Sequence, residues 1–258
     1  MRISAHLGWR RVRALAGGFL IFAFSWSNAL CAETPADALA GANQQYKAGH
    51  FREAAELYQK AVTDGETSAA LFYNLGNACF RAGNFGRAIL NYERALALHP
   101  QHPEASANLH LTQDKARALE LKTAWWDRLI GQVAPNTYAI AAATSAWLGA
   151  FCFVAWLFRK RRSALLVLFS LLLLASAIGA AAALFALETG NHGRALAIVV
   201  DREIEARVAT ADNAGSVLVL PAGSEIKIIS TRGDWIYAAL PNDLRGWIPA
   251  GSAERVRL

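Results

Sequence analysis

Residues 72–100 read FYNLGNACFRAGNFGRAILNYERALALHP, and this stretch decides the fold of the N-terminal half of the chain. Apolar and small residues recur at helical spacing on both sides of Gly83. After it, for example, Ala88 and Tyr92 are one helical turn apart. Gly83 separates the two patterns, and Pro100 follows the second. Because glycine and proline end helices, the stretch predicts two helices joined by a tight turn.

The same pattern occurs once before in the chain. The number of residues between equivalent positions is constant, as from Asn43 to Asn77 and from Tyr58 to Tyr92, and we call it the repeat interval. The residues that recur are Asn43, Ala48, Gly49, Phe51, Ala54, Tyr58 and Ala61, which return as Asn77, Ala82, Gly83, Phe85, Ala88, Tyr92 and Ala95. A fixed period of this length indicates stacked helical pairs. We therefore predict an all-α solenoid over residues 33–122. It contains two repeats, 35–68 and 69–102, and a capping helix over residues 103–122.

The motif within the second repeat resembles the tetratricopeptide repeat (TPR) family. The residues that carry the resemblance are Phe72, Leu75, Gly76, Cys79, Ala88, Tyr92 and Pro100. The resemblance implies a concave groove that binds an extended peptide or a helix. Its matching positions are Asn43, Tyr46, Lys47, Tyr73, Asn77, Phe80 and Arg81. The asparagines would hydrogen-bond a ligand backbone, and Lys47 and Arg81 would bind a carboxylate. The alternative is that these residues only solvate the surface or pack against the capping helix.

Two later stretches, 137–158 and 164–187, contain no charged residue. At 1.5 Å per residue each reaches roughly 33–36 Å, against a hydrocarbon core of about 30 Å, so we predict two transmembrane helices within residues 137–187. The turn between them, 159–163, contains Arg159, Lys160, Arg161 and Arg162. Positive charge beside membrane spans stays in the cytoplasm, which would place both flanking regions outside it.

Residues 1–32 are typical of a secretory signal peptide. Basic residues precede an apolar run over 14–26, and small residues follow it. The signal and the basic turn agree on the topology, so we predict a bacterial inner-membrane protein with periplasmic soluble domains. A lipidated Cys31 and an uncleaved anchor are the alternatives. Residues 123–136 are predicted to be a juxtamembrane linker, whose Trp125 and Trp126 suit a membrane interface.

From residue 195 the pattern changes to short apolar runs of period two, which predicts an all-β domain over 195–258. The predicted strands are 196–200, 205–209, 216–219, 225–231, 235–240 and 246–249. The segments 220–226, 232–235 and 246–249 resemble the bacterial SH3-like family, which implies a small barrel that binds peptides or wall material. Trp235 and Trp247 are predicted to supply its core.

The net charge of +6 comes from the N-terminal arginines and the basic turn, so no nucleic-acid partner is predicted. No catalytic, cofactor-binding or metal-binding motif is found in the sequence, and we predict a protein that is not an enzyme and needs no cofactor. His99, His102 and His110 are interpreted as solvated residues in and near a turn. Cys79 is interpreted as an inert buried thiol.

The order of the modules resembles BatE-type proteins of the aerotolerance (Bat) operon family. The resemblance implies a multidomain membrane adaptor that works with von Willebrand factor A-type membrane proteins and a MoxR-type ATPase. Two other functions stay open from the sequence. One is an envelope sensor that binds peptidoglycan through the SH3-like domain, and the other is an assembly factor such as those of cytochrome biogenesis.

Overall fold

The computed structural model describes residues 35–122, 125–159, 163–190 and 193–257. The predicted signal peptide, residues 1–32, lies outside the described residues together with Cys31. Positions 160–162 of the basic turn also lie outside them. Within the described part, eight α-helices are followed by seven β-strands.

Five helices form the N-terminal domain. They are α1 (Pro35–Lys47), α2 (Phe51–Thr63), α3 (Ala69–Arg81), α4 (Phe85–Leu98) and α5 (Pro103–Ala116). Ser68 and Asn84 cap α3 and α4, because each side-chain oxygen accepts a backbone N–H of the first turn. Gly83 ends the first helix of its pair at φ +80°, a conformation that favours glycine. The predicted all-α region of paired helices is therefore present.

The capping helix is shorter than we predicted. It was expected over 103–122, but α5 ends at Ala116, and Arg117 adopts the left-handed conformation. Residues 118–122, which we call the strap, run instead along the β-domain. The Leu119 carbonyl accepts the amide of Glu225 at 2.8 Å, and the Leu119 amide donates to Ser224 Oγ at 3.1 Å. The strap is not helical because these backbone groups are bonded to the β-domain.

Three further helices follow the strap, namely α6 (Trp125–Gly131), α7 (Pro135–Phe158) and α8 (Ala164–Thr189). Helices α7 and α8 are long and apolar enough to cross a membrane, and only 6% of the most apolar window of each is buried. They pack against each other, and Ser170 Oγ donates to the Gly149 carbonyl at 3.0 Å. Helix α6 also contacts α8, but many large apolar side chains of α7 and α8 are exposed among the described residues.

The C-terminal region is one antiparallel sheet. Its strands are β1 (Leu196–Val199), β2 (Glu203–Arg207), β3 (Ser216–Pro221), β4 (Glu225–Arg232), β5 (Trp235–Ala239), β6 (Arg245–Pro249) and β7 (Ala253–Arg255). The order is β3-β2-β6-β5-β4-β1-β7. Among the described residues, β3 and β7 do not pair with each other, so the sheet is open. Six of these strands were predicted from the sequence, with slightly different ends. The short strand β7 was not predicted.

Trp235 and Trp247 do not supply the core of the sheet, contrary to our prediction. The core side chains are those of the alternate residues, and Ile236 and Ile248 are 6% and 0% exposed. Because side chains alternate between the faces of a strand, both tryptophans lie with Tyr237 on the opposite face. There they are half-buried, and the rings of Tyr237 and Trp247 lie 5.0 Å apart.

The helical domain and the sheet share a hydrophobic core. Leu196 and Ile198 of β1 belong to the same buried cluster as Ile89 and Leu90 of α4. The alternate residues of β1 face the core of the sheet itself. Strand β1 is thus buried on both faces. Through β1 the sheet therefore covers part of α4, which also packs against α5.

Arg94 of α4 is the main polar connection from the helices to β7. It is 5% exposed, and its Nη2 donates to the Arg255 carbonyl at 3.0 Å and to Glu254 Oε2 at 3.3 Å. A buried guanidinium needs such partners, because an unpaired one would lose its hydration without compensation. This contact therefore holds the sheet in a defined position on α4.

Three carboxyl groups meet where α4, the strap and β4 come together. Burial raises the pKa of Glu93 to about 8, and the charges of Glu225 and Glu120 add to the effect. Burial also raises the pKa of Glu225 to about 7, although its Oε2 accepts the Leu121 amide at 2.9 Å, which acts in the opposite direction. The interface therefore favours the protonated forms of Glu93 and Glu225.

Candidate protein-binding groove

The first helix of each pair, together with α5, lines a concave groove. The groove contains a cavity of about 190 Å³ bordered by Tyr46, Asn77, Phe80, Arg81, Asn108 and Leu111. Four of these are residues that the sequence predicted, and the fold brings them to one place. Of the other predicted residues, Tyr73 lies next to the cavity and its hydroxyl accepts Asn108 Nδ2 at 3.4 Å. Asn43 and Lys47 lie before and after Tyr46 on α1, and neither borders the cavity.

The two predicted asparagines are bonded inside the domain. Asn43 Oδ1 accepts the Tyr58 hydroxyl at 2.6 Å. Asn77 Oδ1 accepts the Tyr92 hydroxyl at 2.8 Å and Asn108 Nδ2 at 3.0 Å. Since a carbonyl oxygen has two lone pairs, Asn77 can offer a ligand only its N–H groups. Burial raises the pKa of Tyr92 well above its usual range, so this hydroxyl remains a donor.

The basic residues of the groove have exposed heads. Arg81 is exposed at the end of α3, and its guanidinium carbon lies 4.2 Å from the ring centroid of Phe51. Lys47 is exposed in the last turn of α1. Both positions are compatible with the predicted binding of a carboxylate.

Sequence reasoning missed the contribution of α5 to the groove. Leu111 follows Asn77 at the same interval at which Asn77 follows Asn43, and Lys115 follows Arg81 at that interval too. Applying the repeat offset a third time would have placed both residues at the groove. The first two copies match more fully, and α5 was therefore interpreted only as a cap.

Cys79 and His102, two reactive side chains considered in the sequence, have structural roles. Cys79 is 4% exposed, and burial raises the pKa of its thiol to about 11, so it is not a nucleophile at neutral pH. His102 caps α5, because its Nδ1 accepts the Ala105 amide at 3.3 Å. Within the described ranges no group of three histidine, cysteine, aspartate or glutamate residues is arranged to hold a metal ion.

Comparison with known proteins agrees with this geometry. The sequence profile of the tetratricopeptide repeat family matches residues 39–109. The chain contains tetratricopeptide repeats. Tetratricopeptide repeat protein 16 of Macaca fascicularis is 35% identical over 77 residues, which are 30% of this chain and 9% of the relative. The Homo sapiens protein of the same name is 36% identical over 70 residues, which are 27% of this chain and 8% of the relative.

The similarity concerns the repeats and not the whole protein, because the match spans about a tenth of the length of these relatives. TPR domains are interaction modules that typically bind protein partners on their concave surface. The groove between α1, α3 and α5 is accordingly the candidate protein-binding site.

Proposed function

We propose that the chain is a non-enzymatic, membrane-anchored adaptor whose TPR groove binds a protein partner. The observation that carries this proposal is the open cavity between α1, α3 and α5, in the region that the TPR family matches. Its border combines aromatic rings, amide donors and a cation, which are groups typical of protein–protein contacts. The groove residues Asn43, Tyr46, Lys47, Tyr73, Asn77, Phe80 and Arg81 keep their predicted roles, with Asn77 acting as a donor only.

We propose that α7 and α8 anchor the protein in a membrane. Two packed apolar helices satisfy their backbone hydrogen bonds internally, as lipid requires. The shared core of α4 and β1 supports this arrangement, because domains in contact must lie on the same side of a membrane. A hairpin of two spans returns the chain to the side from which it started. Trp125 and Trp126 of α6 are 69% and 53% exposed, as expected at a lipid interface.

We further propose that both domains lie in the periplasm and that the chain is part of a Bat-type envelope complex linked to stress or oxygen tolerance. The signal-like N-terminus and the basic turn support the orientation. The order of the modules, with an SH3-like sequence pattern in the β-domain, supports the complex. Its partners would be von Willebrand factor A-type membrane proteins in the bacterial inner membrane.

Photo-crosslinking in intact membranes tests the adaptor function. A photoreactive amino acid at Phe80 is expected to give a discrete protein adduct, identified by mass spectrometry. The same amino acid at Leu98, which is exposed outside the groove, is the matched control. The Arg81→Glu substitution is expected to abolish the Phe80 adduct. Equal adducts from both positions, or none from Phe80 in correctly inserted protein, would contradict the proposal.

A second candidate function is peptidoglycan binding by the β-domain. The half-buried rings of Trp235, Tyr237 and Trp247 on the outer face of the sheet favour it, because aromatic rings provide contact area for a ligand. Sedimentation of the full chain with purified peptidoglycan tests this function. Binding that is lost in Trp247→Ala and retained in a Trp125→Ala control would support it. Deleting the whole domain would be less informative, since it would expose α4.

A further inference from the structure

Strand β3 forms one edge of the sheet and is paired on one side only. Its partner is β2, in an antiparallel register that runs from Glu203 opposite Pro221 to Arg207 opposite Ser216. Among the described residues, no second strand pairs with β3. An edge strand presents backbone N–H and C=O groups without a partner, so it can pair with a strand of another chain.

The backbone of Val219 supplies unpaired groups at this edge. The Ala222 amide donates to the Arg202 carbonyl at 2.9 Å, in the direction of β2. Because successive residues of an antiparallel strand direct their backbone groups to opposite sides, those of Val219 point away from β2. Pro221 has no N–H, and its carbonyl accepts the Ser224 amide at 3.1 Å. The capacity for further pairing is therefore centred on Val219.

The edge formed by β3 lacks protection by charge. Natural edge strands usually carry lysine or another charged residue that prevents pairing with other chains. Residues 213–224 contain no charged side chain, and β3 reads SVLVLP. Val219 is 41% exposed, and Val208, whose amide donates to the Gly215 carbonyl just before β3, is 64% exposed. An apolar edge of this kind is typical of a strand that pairs with another chain.

The opposite edge of the sheet, β7, is occupied by α4. The Arg255 carbonyl and the Glu254 carboxylate both accept hydrogen bonds from the buried Arg94 of α4. Pairing of β3 in one copy with β7 in the next would build an open-ended filament, and α4 blocks it. Pairing of β3 with β3 is not blocked in this way, and it closes after two copies.

We propose that β3 pairs with β3 of a second copy of this chain and forms a symmetric antiparallel dimer centred on Val219. Each Val219 N–H donates to the Val219 carbonyl of the other copy, and the two β-branched side chains face each other. The nearest charge in the same row is Glu205, the register partner of Val219 in β2. The two Glu205 residues are three strand spacings apart, about 14 Å, which exceeds the Debye length of about 8 Å. The pairing therefore brings no like charges together in this row.

The strand pairing by itself makes a weak dimer, because its centre contributes two backbone hydrogen bonds. The proposed anchor confines both copies to one membrane, which raises their effective concentration. The dimer goes beyond the proposed function, since it gives the adaptor two grooves on one assembly. It depends neither on the groove nor on what the groove binds.

Cross-linking of the full chain in native membranes with a short bismaleimide tests the dimer. The Val219→Cys variant is expected to give a covalent dimer, identified by mass spectrometry. Ile229→Cys is the matched control, because Ile229 is 48% exposed and lies in β4, four strands away from β3. It should give no dimer above the background of the unsubstituted chain.

Energy transfer between labelled copies in liposomes, measured while lipid is added, gives the strength of the association. Val219→Pro removes both central donors and should weaken it on the order of 30-fold. An edge strand tolerates proline where the N–H points outward, so the ladder with β2 should remain. Val219→Thr keeps the N–H and the branched shape and should associate like the unsubstituted chain. Val219→Lys places like charges opposite each other and should also prevent pairing, without removing a backbone donor.

Four results would overturn the dimer. Equal cross-linking of Val219→Cys and Ile229→Cys would show random collision. Unchanged association of both Val219→Pro and Val219→Lys would place the contact elsewhere. A cross-link from residue 219 to a different protein would assign β3 to a partner's strand, and products larger than a dimer would indicate an open-ended assembly.

Discussion

The substitution Gly86→Ala is predicted to disturb the contact between the helical domain and the sheet. Gly86 is buried in the first turn of α4. A methyl group at this position would lie 2.9 Å from the carbonyl oxygens of both Val199 and Val200. These are backbone atoms, which cannot rotate away as a flexible side chain would. Either α4 or the end of β1 must therefore move.

The size of the effect follows from these distances. Both contacts would be well below the 3.4 Å at which ordinary van der Waals contact begins. Overpacking of this kind costs about 1–3 kcal/mol. The Val199 carbonyl also accepts the Gly223 amide at 2.7 Å, and weakening that bond adds up to about 1 kcal/mol. Replacing glycine in a helix returns up to about 1 kcal/mol, so we expect a net destabilisation of about 1–3 kcal/mol.

Hydrogen exchange and thermal unfolding of the full chain in nanodiscs measure this effect. Gly86→Ala should lower the unfolding temperature and accelerate exchange of the β1 amides and of Glu225, which bonds to the strap. Gly41→Ala is the matched control, because Gly41 lies within α1 and a methyl group there meets no atom within 4 Å. It should leave stability unchanged or raise it. Unchanged exchange in β1 and an unchanged unfolding temperature for Gly86→Ala would refute the reasoning.

Two further predictions concern buried titratable groups. Because the pKa of Glu225 is raised to about 7 in the folded protein, protonated Glu225 favours the folded state. Its contribution to the free energy of unfolding is complete below about pH 4.5 and is lost as the pH rises through 7. Glu225→Gln should therefore raise the free energy of unfolding at pH 8 by on the order of 2 kcal/mol, as measured in denaturant titrations. Glu203→Gln, at an exposed site, should not raise it. The same dependence of the unfolding free energy on pH in wild type and Glu225→Gln would contradict this. Cys79 should not react with maleimide at neutral pH until the domain unfolds, since its thiol is buried and burial raises its pKa to about 11. Labelling is measured by mass spectrometry, and labelling of Cys79 in the folded protein would contradict the prediction.

Local patterns were sufficient for the paired helices, the two long apolar helices and most strands, but not for α6, which lies in the predicted linker 123–136. The repeat interval identified the paired helices, and period two identified six strands, because both patterns depend on residues close in sequence. The groove followed in part, since equivalent helix positions meet on one face. The missing residues came from α5, where Leu111 replaces the asparagine of the earlier copies and the repeat is harder to detect.

The contact between the domains was not predicted, because it joins residues far apart in the chain. One local signal existed. The strand Leu196–Val199 is continuously apolar, and uninterrupted apolar runs are typical of strands buried on both faces. The prediction that Trp235 lies in the core was wrong for a different reason. In β5 the residues of both faces are apolar or aromatic, so the pattern did not show which face forms the core.

The apolar hairpin of α7 and α8 is inserted into a folded unit, and this determines how an adaptor of the proposed kind would work. The chain leaves the helical domain through the strap, where the Leu119 carbonyl bonds to the amide of Glu225 at the start of β4. It returns from the hairpin in β1, where Ile198 is the register partner of the same Glu225. Both ends of the insertion therefore meet on one strand. A partner in the groove would be held at a fixed position relative to the sheet and the hairpin, unlike a ligand on a flexible linker. A substitution that weakens the contact between the two domains, such as Gly86→Ala, would loosen this fixed geometry while leaving the residues of the groove unchanged.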